Sequence, residues 1–235
     1  RGVPPGAIGR VCYRAPTLAY LFCPRNAMTA SPHMFSEPPL PDAAIVWQDT
    51  VRWLERAVIG LNLCPFAKGV HGKGQIHYVV SSATEGAQLL QELGDELKAL
   101  AEISPEERDT TLLIAPACFP DFLDFNDFLE LADQLLNALD LEGILQIASF
   151  HPAFQFGGTT VDDVTNCTNR APYPTLHLLR EDSIDRAVAA FPEAETIYER
   201  NMQVLEEMGA EGWQALDVGA RCPVAHAELP QKGNT

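Results

Sequence analysis

Positive charge is scarce in this chain: 235 residues carry 16 Lys and Arg against 32 Asp and Glu, a net charge of −16. Phosphate backbones demand clustered Lys and Arg, so no nucleic-acid partner is expected. No apolar run approaches the roughly 18–20 residues a membrane helix needs, so no membrane partner is expected either. The six cysteines include no C-x-x-C pair, which indicates neither a zinc knuckle nor a redox couple. There is no G-x-S-x-G for a serine hydrolase, no H-E-x-x-H or EF-hand spacing, and no G-x-G-x-x-G after a strand for a dinucleotide. With 46% hydrophobic residues the chain has the apolar content of a globule, so wholesale disorder is excluded.

Charge is also unevenly placed. Residues 1–27 hold four Arg and no acid, leaving −20 from Met28 onward. The apolar run Leu18–Cys23 is fenced by Pro16 and Pro24 and lacks a small-residue cleavage site. Residues 1–27 therefore read as an upstream leader rather than a targeting peptide. Residues 1–41 are expected to form a flexible N-terminal segment, 42–213 a single α/β domain, and 214–235 a flexible tail. Without a secretory segment the thiols are expected reduced and the location cytoplasmic.

Within that body, Asp42 is expected to cap a helix whose stripe is Trp47, Val51, Leu54, Val58 and Leu61, ending at Gly60 and Pro65. Ile76–Val80, Thr110–Ala115, Ile144–Phe150 and Thr175–Leu179 read as strands. Between them lie helices carrying Leu89, Leu93, Leu97 and Leu100, and then Phe125, Phe128, Leu129, Ala132, Leu135, Leu136 and Leu139. Two closing helices follow, one from Asp182 with Ile184, Val188 and Phe191, the other after Pro192 and stopping at Gly209. Strand–helix–strand alternation with nearly continuous apolar strands predicts an α/β fold. Its small, mostly parallel four-stranded sheet would be flanked by helices, with one long ordered loop between strands 3 and 4.

That loop, from Phe150 to Pro174, has no period of 2 or 3.6 but holds three Phe and a Tyr, so it reads as packed down rather than disordered. It starts at the carboxyl end of a strand, where open α/β sheets bind ligands. His151 titrates near neutrality and is the candidate acid/base group; Asp162 or Asp163 would orient it, and Asn166 or Asn169 would donate to developing charge. Arg170, Tyr173 and Asn169 would bind substrate, a guanidinium being suited to carboxylate or phosphate. A second island, Lys68, His71 and Lys73 among glycines, could hold an anion, with Lys68 as backup to Arg170 and Cys64 beside it. The blander alternatives are an Ω-like loop whose polar side chains satisfy its own backbone, and a buried Cys64.

The segments Gly60-Leu61-Asn62-Leu63-Cys64-Pro65-Phe66-Ala67, Phe150-His151-Pro152 and Asn169-Arg170-Ala171-Pro172-Tyr173-Pro174 resemble the bacterial domain of unknown function family 1415. The resemblance runs from Trp47 to Trp213 and takes in Leu176-His177-Leu178-Leu179-Arg180-Glu181. It implies a fold and a motif map but no reaction, and members begin near the position of Met28. The chain departs from the family's pattern at Ala153, where an acid is expected, and at Cys167, where an aromatic is usual.

Three readings stand. The favoured one is an enzyme acting on a small anionic metabolite through His151 to Arg170. The alternative is a non-catalytic ligand- or partner-binding module. The third is a metal-dependent hydrolase using His151, Asp162 and Asp163, with His77 and His177 as further candidate ligands, although no metal motif is present. No cofactor is indicated.

Overall fold

The computed structural model describes residues 40–190 and 196–219. The leader, the lead-in up to residue 39, the expected positions Phe191 and Pro192, and the tail beyond 219 lie outside the described residues.

Helix α1, Ala43–Trp53, is capped by the Asp42 carboxylate, which accepts from the Ala44 N–H at 2.8 Å. It continues as a π-helical turn, Leu54–Ile59. The wider turn brings backbone close to backbone at its exit: a Cβ on Gly60 would sit 2.2 Å from the Arg56 carbonyl oxygen, so only glycine fits. The expected stripe is rotated by one residue. Val46, Asp49, Thr50, Trp53 and Ala57 face inward, and Trp47 is 46% exposed. Asp49 and Thr50 break the apolar pattern but can be buried because each is paired: the Thr50 hydroxyl donates to the Val46 carbonyl at 2.8 Å, and Asp49 meets Arg52.

The rest follows as α2 (Ala67–Gly72), β1 (Ile76–Val80), α3 (Gly86–Glu102), β2 (Thr110–Ile114), α4 (Phe122–Ala138), β3 (Leu145–Phe150), a 3-10 turn (Val164–Asn169), β4 (Thr175–Arg180), α5 (Glu181–Ala190) and α6 (Ile197–Ala215). Gly209, the expected stop, has φ 69° and breaks α6, which then resumes to Ala215.

Among the described residues the sheet has four strands in the order β1-β2-β4-β3. It is mixed, which corrects the mostly parallel expectation: β1 and β2 run parallel, while β4 is antiparallel to both β2 and β3. The helical connections do keep β1, β2 and β3 in one direction. The exception comes from the long loop. Phe150 and Thr175 are register partners, so residues 151–174 leave and re-enter at the same end of the sheet. A connection that crosses no face returns its strand antiparallel, and β4 slots in between β2 and β3.

One face of the sheet is closed. Leu113, Leu145, Leu176 and Leu178 meet Leu89, Leu93, Leu97 and Leu100 of α3 and Phe125, Phe128 and Ala132 of α4. Burying each such side chain stabilises the fold by about 1.5–3 kcal/mol. The other face is only partly covered. Val46 of α1 packs with Leu112 and Ile114, and Trp53, Leu54 and Ala57 pack with Ala148 and Phe150. Gln146 and His177, on the same face as the cross-strand row Thr110–Leu179–Gln146, are only partly covered.

Candidate functional site

The long loop is pinned, but by its own polar groups. Arg170 donates from Nε to the Phe154 carbonyl at 3.1 Å and from Nη2 to the Val161 carbonyl at 2.8 Å. The Asn166 side chain is fully buried: its oxygen accepts from the Phe156 N–H (2.9 Å) and the Thr159 hydroxyl (2.8 Å), and its amide donates to the Thr160 carbonyl (2.8 Å). Asp163 caps the 3-10 turn, accepting from the Thr165 hydroxyl and N–H, and these bonds hold its carboxyl below the usual carboxylate range. Asn169 donates to the Ser149 carbonyl at 3.2 Å. Asp162 is exposed.

His151 is 1% exposed. Its Nδ1 accepts from the Ala153 N–H and its Nε2 lies 3.0 Å from the Phe119 carbonyl. A backbone N–H only donates, so Nδ1 is the acceptor, the proton sits on Nε2, and the ring is neutral. Burial, opposed in part by the Phe119 bond, lowers its pKa. Both nitrogens are thus engaged with backbone, and the acid/base role assigned from sequence has no open nitrogen to act through. Tyr173 turns away from the loop and donates to Asp49 at 2.9 Å. None of these seven side chains lines the cleft described below.

The second island divides as well. Lys68 is exposed on α2, and His71 meets Glu55 at 3.3 Å. The segment before it is docked on α6: Asn62 adopts φ 56°, and the Asn201 amide donates to the Leu63 carbonyl at 2.8 Å. Arg180, at the end of β4, caps the end of α3 by donating to the Leu100 carbonyl at 2.6 Å. The set His151, Asp162 and Asp163 does not converge on a metal-sized point. Alternation along the strands sends His77 and His177 to opposite faces of the sheet. Among the described residues no three His, Cys, Asp or Glu gather as a metal cluster.

The concave feature lies on the half-covered face instead. A cleft of about 720 Å³ is floored by Thr110, Leu112, Gln146, Phe150, His177 and Leu179, and walled by Trp53, Val58, the 63–70 turn and α5. Of the candidates from the sequence, half-buried Cys64, Lys73 and His177 line this cleft. Size and lining match the general form of small-molecule sites, mostly apolar with a few polar groups. His177 and Gln146 have polar signals that the sequence did carry: each is a polar residue inside a nearly continuous apolar strand. Neither makes a hydrogen bond within the described residues, although both face the cleft.

Burial in this apolar basin pushes the His177 pKa down from 6.5 to about 4. The unfolded chain then takes up a proton that the folded state refuses. Stability from this group is complete above pH 6.5 and is lost as pH falls toward 4. The full shift corresponds to about 3 kcal/mol, and water entering the cleft screens it to about 2 kcal/mol. Urea denaturation at pH 7 and pH 4 should show this loss, and His177→Gln should reduce the difference between the two. An unchanged difference in the variant would mean that the ring is well solvated.

The described residues therefore define an α/β protein whose mixed sheet is sealed by two helices on one face and opens into a ligand-sized cleft on the other. Residues 45–215 match the family described as "Protein of unknown function (DUF1415)", and the chain belongs to that family. No curated protein and no solved structure matches the chain. No helix among the described residues is long and apolar enough to cross a membrane.

Proposed function

We propose that this protein binds a small organic molecule in the cleft between the open sheet face and α5, as a ligand-binding module. The observation that carries the reading is the about 720 Å³ cleft with the His177 ring and the Gln146 amide at its floor, both without a hydrogen-bond partner among the described residues. Polar groups left to water in a mostly apolar cleft are open to a ligand, which displaces that water and gains affinity when it reproduces the water's hydrogen bonds. The enzyme reading through His151 and Arg170 has less support, since their polar atoms are taken up by backbone.

Titrating the protein with the neutral fluorescent probe N-phenyl-1-naphthylamine tests the cleft. Expected is saturable, one-to-one binding that weakens about tenfold or more (about 1.4 kcal/mol) in Ala187→Trp, which fills the cleft from α5 with the melting temperature little changed. Equal binding in the variant would place the probe elsewhere and remove the reading.

A further inference from the structure

The cleft sorts its polar groups by depth. At the floor stand Thr110, Gln146 and His177. The Thr110 hydroxyl already donates to the Leu178 carbonyl at 2.6 Å, leaving it as an acceptor only. Gln146 is the cross-strand partner of Leu179, and His177 that of Ala148, so the two are diagonal neighbours on one face. Diagonal positions lie about 7–8 Å apart at the backbone, close enough for one small planar group to meet both side chains. With its proton affinity depressed by burial, the His177 ring is neutral near pH 7, and no formal charge lies at the floor.

The charged groups of the lining lie outside the strands. Lys73, Glu106 and Arg186 are exposed, and Asp109 is half-buried, giving two groups of each sign. Part of this set is already internally paired: the Ser183 hydroxyl donates to Asp109 at 2.6 Å and accepts from Arg186 at 3.0 Å. An anion driven to the floor would give up its water for neutral partners in an apolar basin with no cation beside it, which is unfavourable. A cation would find the half-buried carboxylate of the lining, Asp109, already accepting from Ser183. A neutral group that both donates and accepts fits, because an amide and an imidazole each offer one of either kind.

Building on the cleft reading, we infer that its ligand is an uncharged amphiphile, an apolar body ending in an amide-like donor–acceptor edge that hydrogen-bonds Gln146 and His177. This narrows the proposed site to a substrate class different from the small anionic metabolite expected from sequence.

The test uses the full chain and three probes of similar size: benzamide, benzoate and benzylammonium. Proton–nitrogen NMR spectra follow the His177 ring nitrogens and the Gln146 side-chain amide during titration. Benzamide is expected to shift both sets of signals, with benzoate and benzylammonium binding at least about tenfold more weakly. Gln146→Leu and His177→Phe should each weaken benzamide binding about fivefold or more while retaining N-phenyl-1-naphthylamine binding. The wild-type spectra decide the matter even if a variant folds poorly. Benzoate binding as tightly as benzamide, or benzamide leaving both signals unmoved while the naphthylamine still binds, would overturn the inference and leave the cleft reading standing. Failure of the naphthylamine as well would remove both.

Discussion

Arg52→Ala is expected to lower the unfolding free energy by about 3–5 kcal/mol, because it removes the ion-pair partner of a buried carboxylate. Asp49 is fully buried; one of its oxygens is 2.7 Å from Arg52 Nη1, and the other accepts from the Tyr173 hydroxyl at 2.9 Å. Arg52, itself 8% exposed, also donates from Nε to the Asp217 carbonyl at 2.6 Å and from Nη2 to the Gly219 carbonyl at 3.0 Å. The one guanidinium thus compensates a buried charge on α1 and fastens residues 217–219 to the body. Its removal takes away the ion pair of Asp49 and frees two carbonyls. Urea denaturation measures the loss. The double variant Asp49→Leu/Arg52→Leu should cost less than Arg52→Ala alone, since a missing ion pair is tolerated better than half of one. A loss below about 1 kcal/mol for Arg52→Ala would show that Asp49 reaches water, and the buried tether would have to be abandoned.

This tether also marks where sequence reasoning stopped short. The α3 stripe was legible because its leucines are purely apolar and recur at helical spacing; Leu89, Leu93, Leu97 and Leu100 are all fully buried. The α1 stripe was not, because its inward face holds Asp49, Thr50 and Arg52, and hydropathy assigns such residues to solvent unless their partners are known. Tyr173 and Asp217, which supply part of the compensation, are more than a hundred residues away in sequence. Nor can hydrophobic periodicity report strand direction. The four strands were recognisable, but the insertion of β4 between β2 and β3 depends on where the loop ends meet.

The polar residues of the long loop have a structural use that their sequence pattern does not reveal. Loop length and aromatic content point to an ordered segment, and an ordered segment without helix or strand must satisfy its backbone through side chains. Asn166, Asp163 and Arg170 do this. A dense set of hydrogen-bonding residues in such a loop is therefore the signature of a self-supporting scaffold as much as of a binding surface. Gln146 and His177, sparse polar residues in apolar strands, point to the cleft because the sheet face that carries them is only partly covered.

His151→Ala is expected to destabilise the fold by about 3–4 kcal/mol, which separates a structural imidazole from a catalytic one. The ring packs between Phe122 and Phe125, with centroids 5.5 and 5.3 Å away, and joins the start of the loop to the segment before α4. Its Nε2 bonds the carbonyl of Phe119, a bulky residue held at φ 55° whose own ring rests on Phe128 at 4.7 Å. Truncation leaves a cavity, takes away the partners of the Ala153 N–H and the Phe119 carbonyl, and releases a backbone conformation that side chains other than glycine adopt at a cost. His151→Phe keeps the volume but loses both hydrogen bonds, so its loss of stability should fall between zero and that of alanine, about 2 kcal/mol. The two variants together divide packing from hydrogen bonding. If His151→Ala melts within a degree or two of the parent, the imidazole is not holding the loop, and an acid/base role for it becomes the better explanation of its place at the end of β3.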